Sequence, residues 1–123
     1  MYRPVLLLSV LLVLPACTFL EPAGDAAGLY EGFYSWGFEV NSFQPCGRSE
    51  AWWVVAGPEG REAAGKLSDG YHEVAPGPYA RVFVRLKGTP GKPGRYGHMG
   101  MYEREFWLQE TLLVREERAT DCR

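Results

Sequence analysis

The stretch Leu29-Tyr30-Glu31-Gly32-Phe33-Tyr34-Ser35-Trp36-Gly37-Phe38-Glu39-Val40 decides the fold. Tyr30, Gly32, Tyr34, Trp36, Phe38 and Val40 alternate with Glu31, Phe33, Ser35, Gly37, Glu39 and Asn41. A period of two predicts a β-strand with one mostly aromatic face, running from Leu29 to Phe43. Gly32 and Gly37 lie inside it. Glycine weakens a flat strand but permits the bend or bulge that a tightly coiled barrel requires. Asn41-Ser42 and Gln44-Pro45-Cys46-Gly47 then carry turn chemistry.

Downstream, Ala51-Trp52-Trp53-Val54-Val55-Ala56 is apolar throughout, as a strand covered on both faces would be. Gly57-Pro58 ends it. Glu59 to Leu67 holds enough helix formers for one or two helical turns, weakened by Gly65. Ser68-Asp69-Gly70 and Pro76-Gly77-Pro78 read as turns. Tyr79 to Lys87 is a third strand, with Ala80, Val82, Val84 and Leu86 facing inward. Arg81, Arg85 and Lys87, joined by Tyr79 and Phe83, form its outer face. Gly88 to Gly97 is rich in glycine and proline and is expected to be a mobile loop. Met99 to Arg118 has helix-forming residues, but no helical face is cleanly apolar: Glu105 and Gln109 interrupt one stripe and Glu110 another. Two strands, Met101 to Leu108 and Thr111 to Arg115, with a bend or bulge near Gln109-Glu110, are the favoured reading over a helix. No internal repeat is visible. The plentiful Gly, Pro and aromatic residues favour an all-β domain of short strands over a helical bundle.

Upstream, Met1-Tyr2-Arg3 is followed by an apolar run, Val5 to Leu14, broken only by Ser9. The run suits a signal peptide and is too short to span a membrane as a helix. Leu14-Pro15-Ala16-Cys17 resembles the lipobox of bacterial lipoproteins. The expected organisation is a signal peptide over 1–16, a lipidated flexible tether over 17–28 and a folded domain over 29–123. An ordinary secretory signal, with Cys17 one more thiol, is the alternative. Each buried CH₂ contributes about 0.8 kcal/mol and one chain alone anchors reversibly. By resemblance, Cys17 carries a diacylglyceryl group and an N-acyl chain such as palmitate, which makes attachment permanent. Thr18 follows it in place of the Asp that often retains such proteins at the inner membrane of Gram-negative bacteria. The expected site is therefore the outer membrane, facing the periplasm. With Cys17 assigned to lipid, Cys46 and Cys122 remain as an even pair in an oxidising compartment and are expected to form a disulfide.

One family fits this order of elements. An aromatic, glycine-containing strand runs into Phe43-Gln44-Pro45-Cys46-Gly47, then a Trp-Val strand, then Val82-Phe83-Val84-Arg85-Leu86-Lys87-Gly88, then a final hydrophobic strand. The pattern, over residues 29 to about 116, resembles the C-terminal OB-like domain of NlpE-type envelope lipoproteins. Those proteins are linked to copper tolerance and envelope-stress signalling. The resemblance implies a small five-stranded OB-like barrel with at most one short helix. The N-terminal barrel of that family and its CxxC are missing, so a role carried by that domain does not transfer, and shared fold does not imply shared activity.

Candidate chemistry is sparse. His98-Met99-Gly100-Met101 combines imidazole and thioether groups that suit Cu(I), with His72 a fourth ligand if the fold brings it near. The competing expectation is that both methionines pack in the core and His98 is solvated. Tyr34, Trp36, Phe38, Trp52, Trp53, Tyr102, Phe106 and Trp107 either fill the core or line a stacking groove for glycan or peptide. Arg81, Arg85 and Lys87, with Lys92 and Arg95 beyond, either meet anionic lipid or pair with acidic neighbours such as Glu103 and Glu105 across the sheet. The net charge of -2 argues against a nucleic-acid partner. No GxSxG, HExxH, P-loop or dinucleotide fingerprint occurs, so no catalytic residue is assigned and no cofactor is expected. Glu116-Glu117 is a carboxylate pair at the polar end of the chain. The expected role is a non-enzymatic binding or envelope-stress component. A periplasmic copper protein and an interaction module for another envelope protein or small ligand are the alternatives.

Overall fold

The computed structural model describes residues 27–123. The signal segment, Cys17 and the tether as far as residue 26 lie outside the described residues. Within them the chain runs β1 (Gly28–Gly37), β2 (Val40–Pro45), β3 (Trp52–Val55), a 3-10 turn (Pro58–Gly60) continuing into α1 (Arg61–Val74), β4 (Arg81–Pro90), a second 3-10 turn (His98–Gly100) and β5 (Glu105–Glu116). The five strands close in a ring in the order β1-β2-β3-β5-β4. β3 and β5 pair in parallel and every other pair is antiparallel. Closure in this order, with the helix between β3 and β4, is the expected OB-like barrel.

The aromatic stretch that predicts one long strand folds instead as a hairpin. Gly37 pairs with Val40, leaving only Phe38 and Glu39 at the tip. Glu39 takes the left-handed region at φ 62, which Gly or Asn normally fills. Nothing in the alternation marks that tip, because a two-residue turn preserves the period of two. Gly32 is where β1 coils most closely onto β2. A Cβ there would lie 2.2 Å from the backbone oxygen of Gln44.

α1 is longer than the one or two turns expected, and it runs straight through Ser68-Asp69-Gly70, read above as a turn. Ala63, Leu67 and Tyr71 are buried at four-residue spacing and seal one end of the barrel. Gly70 faces β5: a Cβ there would come 2.9 Å from the Val114 side chain. The glycine is therefore a close-packing position. Tyr71 locks the helix in place, since its hydroxyl reaches the carbonyls of Ala80 (2.9 Å), Trp36 (3.2 Å) and Gly77 (3.3 Å).

Residues 105–116 form one strand with two bulges, not two strands. Arg85 pairs with Leu113 but Leu86 with Thr111, so Leu112 bulges out. Lys87 pairs with Glu110 but Gly88 with Leu108, so Gln109 does too, where a bend was expected. Each extra residue inverts the alternation that follows it. Phe106, Leu108, Thr111 and Val114 all meet the core or the helix, at steps of two, three and three that break the strict strand period. The ambiguity of this segment in the sequence has that physical cause.

The core is rich in aromatic side chains. Trp52, Phe43 and Phe106 are fully buried with Val82, Val84 and Leu86. Phe43 and Phe106 sit 5.0 Å apart between ring centroids, and Tyr30 meets both Trp52 and Phe106 edge-on. Tyr34 donates to Asn41 Oδ1 (2.7 Å), and Asn41 Nδ2 donates to the carbonyl of Val54 (2.9 Å), so one polar chain links β1, β2 and β3. Burial, with Tyr71 beside it, pushes the Tyr34 phenol well above its ordinary pKa. Cys46 and Cys122 are joined in a disulfide that ties the end of β2 to the chain's last turn. The Asp121 carboxylate takes two bonds from the Arg115 guanidinium and one from the Arg118 backbone N–H, which holds that turn against β5.

Candidate functional site

Closure of the ring brings the β1–β2 tip and the β4–β5 connection to the same side of β2. Between them lies a cleft of about 540 Å³. Val40 and Ser42 of β2 form its floor, with Ala51 ahead of β3. Phe38 and Glu39 of the hairpin tip stand on one side, and His98, Met101, Tyr102 and Glu103 on the other. Glu50 completes the wall. This is the face, strands 2 and 3 between the corresponding loops, on which OB barrels commonly bind ligands.

The walls are held in place. The segment after Pro90, expected to be a mobile loop, folds back on itself. Gly91 N–H donates to the Glu105 carbonyl (2.7 Å), Gly94 N–H to Glu103 (2.8 Å), and Tyr96 and Tyr102 exchange a pair of backbone bonds. Arg104 Nη1 donates to the Gly91 carbonyl (2.9 Å). Tyr102 rests edge-on against Trp53 at 5.2 Å. Across the cleft His98 Nε2 lies 3.1 Å from Glu39 Oε2, a contact that bridges the two walls. Left-handed backbone occurs on both sides, at Glu39 (φ 62) and Met99 (φ 53). Such positions cost about 1–3 kcal/mol each and gather at functional sites.

The lining of the cleft is acidic, although Arg48 beside it pairs with Glu50. Glu39, Glu50 and Glu103 line it, and no Lys or Arg does. Glu50 is held below the usual carboxylate range by its own backbone N–H and by Arg48, whose Nη1 lies 3.1 Å from Oε1. The buried indole N–H of Trp52 makes no well-formed hydrogen bond, yet it lies near enough to lower Glu50 further. Its apolar walls are open: Phe38 is 79% and Met101 76% exposed.

The residues singled out in the sequence divide. Met99 and Met101 lie at the surface, contrary to the expectation that they pack in the core. His98 and Met101 share the cleft. His72 does not join them: it sits on α1 against Trp36, with Nδ1 2.7 Å from the Ser68 carbonyl oxygen, and lines a separate pocket. Among the described residues no group of three or more His, Cys, Asp and Glu is placed to hold a metal ion. Of the aromatic set, Tyr34, Trp52 and Phe106 are core residues, whereas Trp36, Phe38 and Trp107 are exposed and Tyr102 lines the cleft. The basic face is neutralised in place, but by other partners than Glu103 and Glu105. Arg81 pairs with Glu117, Arg85 with Glu31 (2.7 Å) and Lys87 with Glu110 (3.4 Å). Arg81 and Arg115 also cover Phe33 and Phe83 at 3.9 and 4.2 Å, so these cations shield apolar rings on the barrel's outer wall.

Sequence reasoning missed Glu39, Glu50 and Glu103. They fall in three separate connections, and no linear spacing relates them. No family model matches the chain, and no curated protein or solved structure matches it either.

Proposed function

We propose that this protein is a lipid-anchored, non-enzymatic binding protein of the bacterial envelope whose ligand occupies the cleft between the β1–β2 tip and the β4–β5 connection. The observation that carries the reading is the cleft itself. It lies on the ligand-binding face of OB barrels, its walls are fixed by hydrogen bonds, and apolar and ionised side chains are left facing outward. The envelope placement rests on the lipobox-like Leu14-Pro15-Ala16-Cys17, on Thr18 for outer-membrane sorting, and on the resemblance to the OB-like domain of NlpE-type lipoproteins. A role in envelope-stress signalling would then run through what the cleft binds.

A photo-crosslinking amino acid at Ser42, on the floor, tests the cleft in cells, with one at Leu112 on β5 as control. Adducts specific to Ser42 support the reading; identical patterns at the two positions refute it. Mass spectrometry of the mature protein tests the anchor, and an unmodified Cys17 thiol would end it.

The shared placement of His98 and Met101 favours a second reading, a periplasmic Cu(I) protein with Met99 as a further ligand. Cu(I) titration against a competing chelator decides it. Sub-micromolar binding, lost in Met99→Ala and Met101→Ala, supports copper, and absence of binding sinks it.

A further inference from the structure

We infer that the occupant of this cleft is a cationic, partly apolar segment of another protein, with Lys or Arg side chains interleaved with aliphatic ones; the inference rests on the cleft being the ligand site. Two apolar side chains that line the cleft, Phe38 and Met101, are each more than three-quarters exposed. Exposed apolar groups gathered in one place mark interaction surfaces, and methionine adapts its shape to a partner chain. The chemistry beneath them selects the charge of that partner. Glu39, Glu50 and Glu103 line the cleft; Arg48 offsets Glu50 and His98 faces Glu39, so three carboxylates stand against one guanidinium and one imidazole, and a bound cation meets complementary potential.

A single metal ion fits less well, since among the described residues no three or more His, Cys, Asp and Glu are placed to hold one and Phe38 would stay exposed. A nucleic acid has the wrong charge. The basic β4–β5 face of a second copy is a poor match, because its cations Arg81, Arg85, Lys87 and Arg115 are already in ion pairs. The cleft volume of about 540 Å³ lies within the range of preformed ligand sites and admits a few side chains of an extended segment.

The test is fluorescence anisotropy with the full acylated protein in zwitterionic nanodiscs, and with empty nanodiscs as baseline. Three labelled peptides serve as probes: one alternating Lys and Leu, one alternating Glu and Leu, one alternating Lys and Ser. The Lys/Leu peptide is expected to bind tightest and to weaken as salt rises. Glu50→Gln and Glu103→Gln should each lower its affinity by about two- to fivefold. Phe38→Ala should bring the Lys/Leu affinity toward that of the Lys/Ser peptide. Thermal melts establish that each variant is folded. Equal binding of the Lys/Leu and Glu/Leu peptides, no binding above empty nanodiscs, or affinity unchanged in both glutamine variants would overturn the inference. If Ser42 still forms specific adducts in cells while no cationic peptide binds, the inference fails and the cleft remains the ligand site. If Ser42 forms none, both fail.

Discussion

Replacing Cys46 and Cys122 together by alanine should destabilise the barrel through its unfolded state. The bridge spans a sequence separation of 76. Closing a loop of that length removes unfolded-state entropy corresponding to about 4–4.5 kcal/mol, an upper figure for the native bond. Little packing is lost with the sulfurs, since Cys46 is only half-buried and Cys122 is exposed. The folded tail keeps its place through Asp121, which still receives the Arg115 guanidinium. The free-energy change is therefore expected to appear as a freer unfolded chain and not as a rearranged native state. For a domain of this size the melting temperature should fall by on the order of 15–35 °C. Differential scanning calorimetry reads the shift, with dithiothreitol added to the unmodified protein as a second route to the same state. A fall of less than about 5 °C, equivalent to roughly 1 kcal/mol, would refute the entropic account. So would a double variant that dithiothreitol destabilises as much as it does the parent.

Gly32→Ala drives a Cβ to within 2.2 Å of the Gln44 carbonyl oxygen, where backbone must move. A loss of about 1–3 kcal/mol in urea unfolding is expected, and a neutral result would mean that β1 and β2 are less tightly coiled than described. Asp121 has its carboxyl held down, first by the Arg115 side chain and then by the Arg118 N–H. A carboxyl with a depressed folded pKa stabilises above its unfolded value, near 3.9, and loses that contribution as pH falls through the folded value. Stability measured by denaturant titration should therefore drop below about pH 4. Asp121→Asn should flatten that slope, and an unchanged slope would remove Asp121 as its source.

Within Tyr79–Lys87 the alternation was readable from Arg81 on because β4 pairs without interruption through Arg85, whereas Tyr79 and Ala80 precede the strand and the outward Phe83 is buried beneath Arg115. Val82, Val84 and Leu86 lie inside and the basic residues outside, as the period of two requires. The hairpin at Phe38-Glu39 was not readable, since neither residue is a usual turn former. The helix over residues 61–74 was cut short because Gly70 carries a turn signature in the sequence and a packing role in the fold. β5 was blurred by bulges at Gln109 and Leu112, which exist only relative to the partner strand.

Composition and alternation by themselves determined the mostly-β character of the chain beyond the apolar N-terminal run. The side-chain period is a local property that follows from strand geometry, whereas choosing Cys46 and Cys122 among three cysteines rested on assigning Cys17 to lipid. The tertiary structure alone decided which charges are paired with one another and which gather on one surface. Along the chain the basic strand looks like the binding surface, yet closing the ring sets Glu31, Glu110 and Glu117 against its cations. The same closure carries Glu39, Glu50 and Glu103, from three unrelated connections, onto one cleft without Lys or Arg. Electrostatic complementarity depends on distance in space, and distance across a barrel is set by which strands pair, not by spacing along the chain.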